Sequence, residues 1–71
     1  MEKYFIDKYN GELIYRRVVK ENQAIWHFMN TRTNKGNWDK LNYFIRAETD
    51  YLKGMRGWHP LTKAELFIEI L

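Results

Sequence analysis

KYFIDKYNGELIYRRVVKENQAIWHFMN, residues 3–30, decides the fold. Three runs rich in aromatic and β-branched residues are separated by two short polar breaks, the pattern of an antiparallel β-meander. Asn10-Gly11 is the strongest local signal. Both central residues of a type I′ turn need positive φ, which Asn and Gly tolerate best. A two-residue loop there predicts Tyr9 opposite Glu12, Ile6 opposite Tyr15 and Tyr4 opposite Arg17. In the second break, KENQ, a two- or a four-residue loop gives the same register, with Val19 opposite Ala24 and Arg17 opposite Trp26.

Period-2 alternation then divides the side chains between two faces. One carries Tyr4, Ile6, Leu13, Tyr15, Arg17, Val19, Ala24, Trp26 and Phe28. The other carries Phe5, Asp7, Tyr9, Glu12, Ile14, Arg16, Val18, Ile25, His27 and Met29. The first is the more apolar and is expected to be core. Neither face is cleanly polar, which is unusual for an antiparallel sheet with one wet side.

Beyond the sheet, TRTNKGN (residues 31–37) reads as a polar turn. Asn37 suits an N-cap and Gly54 a C′ position, which predicts a helix over residues 38–53, or a shorter one starting near Lys40 with Trp38 extended. Its expected apolar stripe is Leu41, Ile45 and Leu52, with Asp39, Arg46, Asp50 and Lys53 on the opposite side. Glu48 falls within the stripe, where a carboxylate needs a partner. Arg17 is the cation projecting from the face assigned to the core, so a Glu48–Arg17 ion pair is expected. Residues 54–60 read as a break. Thr62 and Glu65 form a capping box that opens a short helix over residues 63–70. Ala64, Phe67, Ile68 and Leu71 share one side of it, and Leu66 and Ile70 point to another. A helix this short needs a surface to pack on. The expected fold is therefore α+β: a three-stranded antiparallel sheet packed by a long helix and followed by a short C-terminal helix, βββαα, in one small domain over residues 1–71.

Composition fits such a domain. At 71 residues there is room for one core, and with no cysteine no disulfide can staple it. Three Trp, five Tyr and four Phe supply the apolar area instead. Met1 is followed by charged residues rather than an apolar h-region, so no signal peptide is expected. No apolar run is long enough to cross a bilayer, and the chain reads as cytoplasmic with no membrane partner. The net charge of +3 is only mildly basic.

No catalytic signature is present. His27 and His59 lack ligand-spaced partners, so no metal is expected. There is no Ser or Cys nucleophile, and the glycines are scattered among turns rather than gathered in a phosphate-binding loop. A non-catalytic binding protein without cofactor is the expectation. A protein partner would use Phe5, Ile14, Ile25 and Met29 with Arg16 and His27, or the terminal helix around Leu66 and Ile70. A homodimer through either surface is a variant of this reading. The plainer alternative is that each helix covers one sheet face and buries both. A nucleic-acid partner would instead be held by Arg16, Lys20, Arg32, Lys35 and Arg56, with the sheet aromatics beside them. A three-stranded sheet backed by a helix resembles the architecture of arm-type integrase DNA-binding domains. Against it, Asp7, Glu12, Glu21, Asp39 and Glu48 interrupt the basic surface.

The run Leu13–Arg17 after an aromatic strand and a Gly turn, followed by Trp26–Phe28, Gly36 and Trp38, resembles a group of short uncharacterised proteins of bacteria and their phages. The resemblance spans about residues 3–55 and implies no activity. It points to a small accessory protein of the kind phages and mobile elements use to bind host factors.

Overall fold

The computed structural model describes residues 1–71. In chain order the elements are β1 (Glu2–Asp7), β2 (Leu13–Lys20), β3 (Gln23–Asn30), β4 (Asp39–Lys40), α1 (Phe44–Leu52), β5 (Trp58–Leu61) and α2 (Lys63–Ile70). The class is α+β as expected, but the sheet has five antiparallel strands in the order β4-β3-β2-β1-β5. Two short strands extend the meander at its edges. Asp39 and Lys40 pair with Phe28 and His27 on one side, and Trp58–Leu61 pairs with β1 on the other. Pro60 is tolerated because β5 is an edge strand, with no neighbour that needs its missing N–H.

The two turns behave in the reverse of their sequence strength. Glu21 and Asn22 have φ of 52° and 63°, so the type I′ turn is here, and it sets Val19 opposite Ala24 and Arg17 opposite Trp26 as expected. Asn10-Gly11 forms no such turn, and Gly11 is not among the positive-φ residues. The Asp7 carboxylate accepts hydrogen bonds from the Tyr9 and Asn10 amides (2.8 and 3.1 Å), and the Asn10 side-chain oxygen accepts from the Glu12 amide (3.1 Å). These side-chain bonds hold a wider loop over residues 8–12. An odd-numbered connection moves the register by one, so Phe5, not Ile6, stands opposite Tyr15, and Tyr4 faces Arg16. Every β1 side chain therefore changes face relative to the expectation.

With that slip the core face becomes Phe5, Tyr15 and Trp26, buried together with Leu41 and Ala47 and flanked by Leu13, Phe28, Phe44, Tyr51 and Trp58. Ring packing dominates it. Trp58 lies 4.6 Å from Trp26 and 4.7 Å from Tyr15 between centroids, and Tyr51 meets Phe5 edge-on at 5.3 Å.

Helix α1 covers this face but is shorter than expected and rotated. Residues 38–43 do not join it, because Asn37 turns back on Asn34 and the Leu41 amide donates to the Trp26 carbonyl (3.0 Å). Leu41 thus enters the core from the strand side. Phe44, Ala47, Glu48 and Tyr51 face inward, while Ile45 and Leu52, two of the three expected stripe residues, are exposed. Asp50, expected outside, is buried between Arg46 and Arg56 at 3.2 and 3.0 Å. The helix ends as expected at Gly54, with φ of 67°. The Gly54 amide donates to Tyr51 and the Met55 amide to Asp50, a Schellman closure.

The capping box of α2 is formed: Thr62 Oγ1 accepts from the Glu65 amide and Glu65 Oε1 from the Thr62 amide (3.1 and 2.9 Å). Leu66 is buried but lies outside the aromatic cluster, as do the fully buried Ile14 and Met29 of the opposite sheet face. Lys35 also bonds the Leu71 carbonyl, tying the end of α2 to the turn before β4. Helix α1 lies on the aromatic face, α2 contacts the edge strand β5, and the Ile14/Met29 end of the second face is closed.

Candidate functional site

Glu48 is the most heavily engaged carboxylate. Arg17 donates to it twice, Nε to Oε1 at 2.8 Å and Nη2 to Oε2 at 2.7 Å, and Trp26 Nε1 adds a third bond at 3.0 Å. The expected ion pair is formed, with the Arg17 guanidinium also lying 5.0 Å from the Tyr51 ring centre. These bonds hold the Glu48 carboxyl below its ordinary range and push Arg17 further up. With both oxygens engaged, the pair clamps α1 to the sheet.

The second sheet face has a different character. Register places Tyr4, Arg16, His27 and Lys40 side by side across β1, β2, β3 and β4. Arg17, Arg32, Arg46 and Arg56 all hold a carboxylate. Arg16 alone among the arginines does not. Its guanidinium lies over the Trp38 ring, 4.6 Å from the centroid, and Trp38 in turn meets Tyr4 at 6.1 Å. Arg16 Nε and His27 Nδ1 are enclosed without a hydrogen-bond partner within the protein. Burial, then repulsion from Arg16 and Lys40, lowers the His27 pKa below its ordinary value. The row opens into a hollow of about 420 Å³ lined also by Lys20, Val18, Ile25 and Glu2. Glu2 is the one carboxylate there, and it accepts the Tyr4 hydroxyl proton at 2.7 Å.

The residues expected to bind a protein do not form one surface. Phe5 is in the aromatic core, Ile14, Met29 and Leu66 are buried, and Ile70 is half-buried on the same helix as Leu66. Only Arg16, Ile25 and His27 reach the hollow. The cations expected to bind nucleic acid are likewise dispersed. Arg16 and Lys20 share the hollow, whereas Arg32 pairs with Glu12 at 3.4 Å, Lys35 meets Leu71, and Arg56 holds Asp50 beside Trp58. Lys40 and Trp38 are the members that sequence reasoning placed in a helix. The alternation of Trp38 and Lys40 after the Asn-Lys-Gly-Asn turn was the available hairpin signal. No group of three or more His, Asp or Glu side chains converges to hold a metal, and no helix is long and apolar enough to cross a membrane.

The outer side of α2 is a second exposed feature, and Ile45, Leu52 and Met55 on and after α1 are exposed as well. Phe67, Ile68 and Leu71 are 63%, 69% and 89% exposed, and Ala64 is exposed beside them. Positions 64, 67, 68 and 71 fall on one helical stripe. Comparison with protein-family models, curated proteins and solved structures finds no match for this chain.

Proposed function

We propose that this chain is a small non-catalytic binding protein whose partner is another protein, docked on the outer stripe of α2. The observation that carries the reading is that α2 is apolar twice over: Leu66 is spent on the fold, while Phe67, Ile68 and Leu71 remain in water. Exposed apolar side chains scattered singly need no explanation, but a contiguous stripe at helical spacing does. Such a stripe suits a helix laid into an apolar groove. Glu65 and Glu69 border it and are exposed, so the groove should carry positive charge on that side. A cytosolic accessory protein of the phage or mobile-element type is consistent with the absence of cysteine and with the resemblance of residues 3–55. One observation favours the alternative of a nucleic-acid partner, the cationic row on the second sheet face, which involves none of the α2 residues.

The test is a pull-down from the native cell using the wild type and a Phe67→Glu/Ile68→Glu variant, both checked for fold by circular dichroism. A protein retained by the wild type and lost from the variant supports the reading. Identical retention by both overturns it. Sedimentation of the purified chain belongs to the same experiment: a dimer that the variant abolishes would mean a second copy occupies the stripe.

A further inference from the structure

We propose that the Arg16–His27–Lys40 row is a binding site for a phosphate group, gripped by Arg16 and Lys40 from either side of His27, with Lys20 on the rim. The site is independent of the α2 stripe.

The register supplies the geometry. Three basic side chains occupy one level of three neighbouring strands, and strand spacing sets them about 5 Å apart at their bases. The middle one is short and the outer two are long. Arg16 borders an anion seated over His27 on one side; on the other, Lys40 Nζ rests 5.7 Å from the Phe44 ring centre, and a change of rotamer, not of the strand, brings it over His27. Packing prepares the grip. Trp38 stacks on Arg16 and Nε is enclosed, which leaves the terminal Nη groups as the donors for an oxygen. His27 Nδ1 is enclosed, so Nε2 is the nitrogen that can face a ligand. The hollow of about 420 Å³ has room for a phosphate and part of what it is attached to.

Charge points to an anion rather than a neutral ligand. Arg16 is the arginine left without a carboxylate in a chain where the other four all have one. Lys20 and Lys40 make no ion pair either, so the three cations of the hollow outnumber Glu2, its one carboxylate. A phosphate offers several strong acceptor oxygens and matches the fork of an arginine. The same field acts on His27, whose proton is disfavoured by burial and by Arg16 and Lys40. A bound dianion would offset that repulsion. The charged groups around His27 are Arg16 and Lys20 from β2, Lys40 from β4 and Glu2 from β1, with Tyr4 beyond Arg16. Binding should therefore raise the His27 pKa and tighten as pH falls through it.

Nuclear magnetic resonance titration tests this, with inorganic phosphate and a short single-stranded oligonucleotide as separate probes. The expected result is movement of the Arg16, His27 and Lys40 signals and an upward shift of the His27 titration midpoint. Lys40→Gln and Arg16→Gln should each weaken binding by about tenfold, the loss of one charged hydrogen bond. Lys40 is exposed, so its variant keeps the test valid if Arg16→Gln disturbs the Trp38 stack. Arg32→Ala, at the far end of the sheet, should leave binding unchanged. A response to phosphate alone would identify a free-phosphate site. A response to the oligonucleotide with a salt slope reduced by about 0.7 in Lys40→Gln would identify a backbone phosphate. No response to either probe at low salt, or binding unaffected by both substitutions, would overturn the proposal.

Discussion

Glu48 shows how one charged residue ties a helix to a sheet. Its three donors sit at a partly buried boundary where a lone carboxylate would be costly. Glu48→Ala should destabilise the fold by roughly 2 kcal/mol, between the values for exposed and buried pairs, as read from urea unfolding. Replacing both partners, Arg17→Met with Glu48→Leu, should cost less than the single change, because no charge is then stranded. The pH dependence follows from the lowered Glu48 pKa. Its contribution is complete above the ordinary value of 4.5 and is lost as pH falls through the lower folded value. Acid titration of stability should therefore steepen below about pH 4.5 in the wild type and flatten in the double variant. This pair was legible in the sequence, since Glu48 lay on an apolar stripe and Arg17 on the face opposite it. The burial of Asp50 was not, because it depends on Arg56 folding back from beyond the helix.

The turns carry the main lesson about elements. Asn10-Gly11 has the better local chemistry for a tight turn, yet Asp7 captures the following amides and widens the loop. Glu21-Asn22, the weaker pair, is the one held at positive φ by eight paired positions between β2 and β3. Glu21→Asn should therefore stabilise the protein, by about 0.5 kcal/mol, by relieving a non-glycine residue at φ of 52°. Thermal unfolding measures it, and a decrease in stability would contradict the turn assignment. Thr62→Ala should cost about 1 kcal/mol through loss of the capping box. That box was readable because it needs only two residues at fixed spacing. The short strands were not: Asp39–Lys40 is two residues long and Trp58–Leu61 contains a proline, too little for alternation to register.

For the molecule as a whole, most of the apolar side chains that suggested a sheet-face partner are used in the fold: Phe5, Ile14, Met29 and Leu66 are all buried. What remains exposed includes cations at the open end of the second face, an apolar stripe on α2, and Ile45, Leu52 and Met55 on and just after α1. The α2 stripe was visible in the sequence as the grouping of Ala64, Phe67, Ile68 and Leu71, although the expected site on that helix, Leu66 and Ile70, is its inner side. The cationic row was half visible, since Arg16 and His27 were on the right face and Lys40 joined them only through β4. The most direct test of a protein-binding role is the affinity of a captured partner for wild type and for Ile68→Glu, measured by calorimetry. A loss of about thirtyfold or more, the effect of removing an interface anchor, is the expected result. An unchanged affinity in a folded variant would show that the stripe on α2 is not the docking surface.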